Sequence, residues 1–275
     1  MKISFQGESG AYSDLACRQI YPNAQTIGCL SFDDAFTMVQ SGESDLAFIP
    51  IDNTLAGRVA DVHHLLPQSN LHIIGEHFLP IDHCLLAVKG SKLSDITHVS
   101  SHVHAIPQCR EFIRNHQLAS ITHADTAGAA ADIAQKNDPC HGAIASSLTA
   151  EIYGLDILAR GIQDDASNKT RFIILSKSPA VVDANDDLMT SFTFTVRDIP
   201  AALYKALGGF ATNQVNMMKL ESYVDSQFNA ARFYCEVEGH PREENLCQAM
   251  EELGFFAKEI KILGSYPKSK LRDGF

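Results

Sequence analysis

Asp45-Leu46-Ala47-Phe48-Ile49-Pro50-Ile51 is a near-continuous apolar run. Such a run marks a strand buried on both faces, the signature of a sheet covered by helices on either side. Upstream, Lys2-Ile3-Ser4-Phe5-Gln6 alternates like a strand and enters a glycine turn, Gly7–Ser13, with a helix predicted over about Asp14–Ile20. Ser31-Phe32-Asp33-Asp34 has the pattern of a capping box and opens a helix to about Gln40. Downstream, Asn53–Val59 leads into another predicted helix, which Asn53 and Thr54 are placed to cap near Gly57. Strands alternating with helices give α/β architecture, where ligands gather at the carboxyl ends of strands. The Gly7–Ser13 turn is not GxGxxG, so a dinucleotide site is not expected. Its backbone N–H groups at a helix start are suited to holding a carboxylate.

Residues 71–78 and 82–88 read as two strands joined by Pro80, where the chain is expected to cross into a second lobe. That lobe again alternates: a strand at Thr97–Ser101, a helix over His104–Asn115, a strand near Thr122 and a helix over Thr126–Gln135. Gly142–Ala145 and a helix near Ser146–Tyr153 follow, and residues 155–176 return the chain to the first lobe. This predicts a two-lobed α/β body over 1–178, with lobe one at about 1–78 plus 165–178 and lobe two at about 79–164. A cleft between lobes is where pockets concentrate. Lys177–Asp187 is polar and aperiodic and marks a linker at 179–189. Over 190–268 the pattern becomes βαββαβ, the split-βαβ, ferredoxin-like order. Its strands are expected at Phe192–Val196, Val215–Tyr223, Phe228–Val237 and Ile260–Ile262. One helix is capped by Asp198 with Pro200 in its first turn and striped by Leu203, Leu207 and Phe210; the other is striped by Leu246, Met250 and Leu253.

The formal charge of −11 argues against a nucleic-acid partner and requires a locally cationic pocket for any anionic ligand, which draws attention to Arg58, Lys169 and Arg171. No apolar run approaches the roughly 18 residues of a membrane helix. The chain enters a strand without a signal-peptide pattern, and its seven cysteines are scattered with no CxxC pair. Both features lead us to expect a cytoplasmic protein with reduced thiols and no membrane partner. His63-His64 are adjacent and His102 and His104 two apart, but nothing completes a tetrahedral set, so neither a metal nor another cofactor is expected.

Asn168-Lys169-Thr170-Arg171-Phe172 opens the apolar strand that closes the first two-thirds of the chain. A hydroxyl, a guanidinium and an aromatic ring stand together where a loop becomes a strand, and such a trio can supply a proton donor, an anion clamp and an apolar wall.

Six motifs in this order resemble those of the prephenate dehydratase family. Gly7–Ser13 is similar to its first glycine motif, and Pro50-Ile51-Asp52-Asn53-Thr54 with Gly57 resembles its Pro-Ile-Glu-Asn-Ser/Thr stretch. Ser101-His102 with Gln108-Cys109 resembles Ser-His…Gln-Cys, and Thr170-Arg171-Phe172 matches Thr-Arg-Phe without change. Pro200–Leu203 and Leu220-Glu221-Ser222 resemble signatures of the phenylalanine-binding ACT domain. Asp52, His104, Ala201 and Tyr223-Val224 depart from the family pattern.

The resemblance implies a periplasmic-binding-protein-like catalytic body followed by a ferredoxin-like ACT domain. It also implies decarboxylating dehydration of prephenate to phenylpyruvate, with arogenate dehydratase or a non-catalytic sensor of amino or keto acids as alternatives. Aromatisation drives that reaction, so a weak acid suffices to assist the departing hydroxyl. By resemblance Thr170 is the catalytic donor, and Arg171 holds or orients a carboxylate. Asn53, Thr54, Ser101 and Gln108 are neutral donors, Phe172 walls the ring, and Asp52 lies at the substrate or orients Asn53. L-Phenylalanine is expected as allosteric effector near Ala201, Ala202, Leu203, Asn216, Glu221 and Ser222, in a homodimer or homotetramer.

Overall fold

The computed structural model describes residues 1–183, 186–224 and 230–272. The expected linker residue Asn185 and the expected strand start at Phe228 lie outside the described residues. The chain divides into two compact units, Met1–Val59 with Phe78–Phe172, and Ala60–His77 with Ile173–Phe275.

Along the chain, β1 (Lys2–Gln6), α1 (Tyr12–Ile20), β2 (Gln25–Cys29), α2 (Phe32–Ser41) and β3 (Leu46–Asn53) precede a two-residue strand β4 (Gly57–Arg58), α3 (Ala60–Leu65) and β5 (His72–Pro80). Then come β6 (Cys84–Ala87), β7 (His98–His102), α4 (Arg110–Asn115), β8 (Ala119–His123), α5 (Thr126–Lys136), β9 (His141–Ala145), α6 (Ser147–Tyr153), β10 (Asp156–Ala159) and β11 (Lys169–Ser176). Then follow β12 (Leu188–Val196), α7 (Ala202–Thr212), β13 (Met217–Val224), β14 (Ala230–Glu238), α8 (Glu244–Phe256) and β15 (Ala257–Pro267). Three sheets result, in the orders β2-β1-β3-β11-β5 with β4 on β3, β10-β6-β9-β7-β8, and β13-β14-β12-β15. Among the described residues no helix is long and apolar enough to cross a membrane.

In the first unit, β1 pairs parallel with β2 and β3, and β7 pairs parallel with β8 and β9. The apolar runs follow from this pairing, because both faces of such sheets carry helices. In β6, Cys84 and Leu86 enter one core cluster with Ala129 and Ile133, while Leu85 and Ala87 enter another with Val99 and Ile144. The capping box forms as read, Asp34 N–H donating to Ser31 Oγ at 3.1 Å and Ser31 N–H to Asp34 Oδ2 at 3.1 Å.

Two expected helices change. The helix after β3 starts only at Ala60, because residues 53–58 form a hairpin. Asn53 Oδ1 accepts from the N–H groups of Leu55 (3.0 Å) and Ala56 (2.8 Å), Gly57 turns the chain at φ +80°, and Arg58 then pairs with Asp52. The segment expected as a helix over His104–Asn115 splits into a 3₁₀ turn at Ile106–Cys109 and α4. Pro107 has no N–H to return to the preceding turn and fits only at a helix start.

In the second unit the order βαββαβ and the strand arrangement β13-β14-β12-β15 are those of a split-βαβ unit. One core cluster joins Phe192, Phe194, Phe210, Phe233, Leu246 and Leu253, with Leu203, Leu207 and Met250 packed against it. Asp198 does not cap α7. Arg197 stays tied to the junction of α8 and β15 through Phe256 O (2.9 Å) and Ala257 O (3.2 Å), so a turn intervenes and Ala201, at φ +59°, takes the N-cap position. Residues 60–77 bind the same unit. Lys261 Nζ donates to Pro67 O at 2.6 Å, Tyr223 Oη and His63 Nδ1 share a 2.6 Å hydrogen bond, and Arg272 Nη2 lies 2.6 Å from the buried Glu76 carboxylate.

Gly264 passes so close to Ile73 that an added Cβ would overlap its backbone, whereas a Cβ at Gly254, on α8, meets nothing within 4 Å. In thermal or urea melts Gly264→Ala should lower stability by roughly 1–3 kcal/mol or more from overpacking. Gly254→Ala should raise it by about 0.4–1 kcal/mol.

Candidate active site

The hairpin after β3 and the start of β11 are bound side by side. Thr54 N–H donates to Lys169 O (3.0 Å), and Lys169 N–H donates to Thr54 Oγ1 (2.9 Å). This bracket sets Asn53 against the segment before Thr170. Its Nδ2 reaches Asn168 Oδ1 (2.9 Å), Lys169 O (3.1 Å) and Thr170 Oγ1 (2.9 Å). The Asn53 amide cannot be turned over, because its oxygen is already held by the two backbone N–H groups of the Asx turn. Thr170 Oγ1 is therefore an acceptor from Asn53, and its own O–H remains to donate elsewhere. Thr170 is half-buried and keeps accessible surface.

Arg171 is 6% exposed, lies 3.6 Å from Asp52 Oδ2 and places its guanidinium 5.9 Å from the centre of the Phe78 ring. Asp52 thus meets Arg171, and its backbone meets Arg58 across the hairpin. Gln108, half-buried on the 3₁₀ turn, accepts at Oε1 from Asn168 Nδ2 (2.8 Å) and shares a 2.9 Å hydrogen bond with His83 Nε2. On the other side of the His83 ring, Nδ1 lies 2.7 Å from Tyr12 Oη, which is also 3.0 Å from Asp82 O. Burial lowers the His83 pKa against the opposing hydrogen bond to Gln108, so the ring is neutral near pH 7. Burial raises the Tyr12 phenol well above its ordinary value, with smaller contributions from Cys84, Cys109 and Asp82.

The structure brings Asn53, Thr54, Gln108 and Thr170 into one network and sets Asp52 and Arg171 together as a pair. It does not place Phe172 or Ser101 at an open surface. Phe172 is 1% exposed and packs 5.3 Å from Phe48, so it has no face left to wall a ring. Ser101 is fully buried and spends its hydroxyl on Ile144 O at 2.6 Å, which fastens β7 to β9. Three N–H groups of the Gly7–Ser13 turn are taken within the protein. Gly7 donates to Cys29 O (2.9 Å), Ala11 to Glu8 O (3.0 Å) and Gly10 to Asp14 Oδ2 (2.9 Å).

Asn168, His83 and Tyr12 were missed by sequence reasoning. Asn168 had one signal, its place beside Thr170. A lone histidine between Asp82 and Cys84 carries none.

In the second unit, Ala201 is exposed, Ala202 is buried, and Leu203 packs on the core at the start of α7. Asn216 Nδ2 donates to Glu238 Oε2 at 2.9 Å. Glu221 lies 3.8 Å from Lys219, and Ser222 is exposed; both are on β13, an edge strand. Among the described residues no cluster of three or more His, Cys, Asp or Glu is arranged to hold a metal ion.

The prephenate dehydratase family model matches residues 3–180. This chain belongs to the prephenate dehydratase family. A bifunctional N-acyl-homoserine lactone acylase/prephenate dehydratase from Komagataeibacter europaeus is 45% identical over 98% of this chain and 97% of its own length. The chloroplastic arogenate dehydratase/prephenate dehydratase 1 of Arabidopsis thaliana is 38% identical over 99% of this chain and 73% of its own length. The crystal structure of prephenate dehydratase from Arthrobacter aurescens, in complex with L-Phe, superposes with a TM-score of 0.89 at 29% identity, covering 98% of this chain and 90% of that one. The chain is thus an enzyme of the prephenate dehydratase kind, a carbon–oxygen lyase.

The near-isosteric change Asn53→Asp sets a carboxylate against the oxygens of Asn168 and Lys169 and turns the Thr170 hydroxyl toward itself as donor. The expected outcome is a lowered melting temperature and, with Thr170 as the proton donor proposed below, a fall in prephenate turnover on the order of 10²-fold. Wild-type turnover by Asn53→Asp would contradict this placement of Thr170.

Proposed function

We propose that this protein converts prephenate to phenylpyruvate, water and carbon dioxide, with Thr170 as the donor to the departing ring hydroxyl. The observation that carries this is the 2.9 Å hydrogen bond from Asn53 Nδ2 to Thr170 Oγ1, with the Asn53 amide fixed by two backbone N–H groups. As the ring carboxylate leaves as carbon dioxide, its C–C bonding pair enters the ring. The ring C–O bond breaks toward oxygen, and the hydroxyl takes up a proton and leaves as water. Thr170 supports that oxygen through its O–H, and aromatisation supplies the drive. Gln108 and Thr54 are proposed as neutral donors to the substrate carboxylates. Arg171, buried and paired with Asp52, acts from behind as a fixed positive charge.

The same reading makes residues 1–178 a two-lobed, periplasmic-binding-protein-like catalytic body, with a linker at 179–189 and an ACT domain at 190–268. The βαββαβ order supports the last of these. L-Phenylalanine is the proposed effector at Ala201, Ala202, Leu203, Asn216, Glu221 and Ser222, supported by the L-Phe complex of the relative from Arthrobacter aurescens. The assembly is proposed to be a homodimer or homotetramer of cytoplasmic chains. Two further substrates are favoured by particular relatives: arogenate, by those from Arabidopsis thaliana, and N-acyl-homoserine lactones, by that from Komagataeibacter europaeus.

The test is an assay of the full chain with prephenate, followed by phenylpyruvate absorbance, beside Thr170→Ala and Thr170→Ser and with L-phenylalanine present or absent. Expected are turnover by the wild type, a loss on the order of 10²-fold or more in Thr170→Ala, retention in Thr170→Ser, and a change of rate with L-phenylalanine. Turnover unchanged in Thr170→Ala overturns the assignment of the donor. Turnover of arogenate alone moves the substrate, and release of homoserine lactone from an N-acyl derivative adds the acylase activity. Indifference to L-phenylalanine reduces the small domain to an assembly unit.

A further inference from the structure

The hydrogen bonds around Thr170 form one chain whose direction can be worked out link by link from its backbone end. Leu55 and Ala56 N–H groups can only donate, so Asn53 Oδ1 accepts and Asn53 Nδ2 donates. Asn168 Oδ1, 2.9 Å from that Nδ2, must accept, which turns Asn168 Nδ2 toward Gln108 as a donor at 2.8 Å. Gln108 Oε1 therefore accepts, and His83 Nε2, 2.9 Å away, must carry a proton. The ring is neutral because burial lowers its pKa, so Nδ1 carries a lone pair, and Tyr12 Oη shares its one proton between that lone pair at 2.7 Å and Asp82 O at 3.0 Å.

We propose that His83, held by Tyr12 as the Nε2–H tautomer, is a positioning residue that fixes the Gln108 amide with its NH₂ group outward as a substrate donor. Donors converge on Gln108 Oε1 from His83 and from Asn168, so the amide cannot turn over without placing N–H against N–H on both sides. Gln108 Nε2 makes no hydrogen bond among the described residues, and the residue keeps accessible surface. With Gln108 NH₂ and Thr170 O–H directed outward together, the site offers donors to a dianionic substrate and turns its acceptor atoms inward. The chain is not a proton wire: its two arms meet head-on at one oxygen, and no proton can pass through that point. Tyr12 and His83 do not touch substrate in this reading, which rests on the substrate-facing roles given to Thr170 and Gln108 above.

The test has a spectroscopic arm and a kinetic arm, both on the full chain. In a ¹⁵N-histidine-labelled sample, long-range proton–nitrogen correlation near pH 7, with His83 assigned by difference against His83→Gln, should show protonated Nε2 and unprotonated Nδ1. Tyr12→Phe removes the donor to Nδ1 without disturbing packing and should admit the other tautomer. A protonated Nδ1 in the wild type overturns the proposal.

In the kinetic arm, His83→Gln places an amide N–H near the Nε2 position and should keep KM for prephenate within about threefold. His83→Leu should raise KM roughly tenfold or more, the effect of one misdirected hydrogen bond to a carboxylate, with a smaller change in kcat. A folded His83→Leu with wild-type KM, or equal losses in the Gln and Leu variants, contradicts the positioning role. A wild type silent on prephenate removes the dehydratase reading instead. The tautomer signal and the affinity for phenylpyruvate by calorimetry, expected to fall in His83→Leu and to hold in His83→Gln, then decide the positioning role on their own.

Discussion

Two backbone N–H groups, those of Leu55 and Ala56, fix the direction of the hydrogen bonds that surround Thr170. A side-chain amide is by nature ambiguous, because its oxygen and nitrogen exchange places with little change of shape. The turn after β3 removes the ambiguity at Asn53, and each later partner inherits its orientation from the one before. The turn in turn depends on Gly57, whose positive φ brings Arg58 back beside Asp52, and on the bracket between Thr54 and Lys169. A local Asx turn thereby sets the polarity of the whole group.

That polarity suits a chain whose formal charge is −11. A dianion approaching such a protein meets net repulsion, and a site can offset it with cations or with oriented neutral donors. Of the cations near Thr170, Arg171 is buried and paired with Asp52, while Lys169 and Arg58 lie beside it on β11 and β4. Most of the Coulomb attraction of Arg171 is spent on its partner, which supports the proposal that neutral donors carry the recognition. Hydrogen bonds to a charged acceptor are worth about 1.5–3 kcal/mol each, against about 1 for neutral pairs. In the proposed mode, such bonds bind the substrate carboxylates without a full ion pair that would stabilise the ground-state carboxylate the reaction must lose.

How much of this was legible in the sequence varied with the range of the interaction. β3 could be read because burial on both faces demands a run such as Leu46–Ile51, and α2 because Ser31 and Asp34 cap it within three residues. The βαββαβ order was legible from strand alternation and leucine stripes. The Asn53–Arg58 hairpin was not, because Leu55 and Ala56 favour a helix and only the Asn53 side chain and Gly57 decide otherwise. The start of α7 misled because Arg197 is held to the strand by contacts sixty residues away in sequence. Phe172 and Ser101 belong to recognisable motifs, yet motif and alternation do not say which face is sealed; Phe48 and Ile144 seal them. His83 and Tyr12 are 71 residues apart, and no local pattern announces their pairing.

The most direct measurement is neutron diffraction from a perdeuterated crystal of the protein, which locates the exchangeable hydrogens around Thr170. The expected map has the Thr170 O–D directed away from Asn53, both Asn53 Nδ2 deuterons directed at oxygens, and the Gln108 ND₂ group pointing away from His83 and Asn168. A Thr170 deuteron pointing at Asn53, or a Gln108 ND₂ group facing His83, would contradict the account.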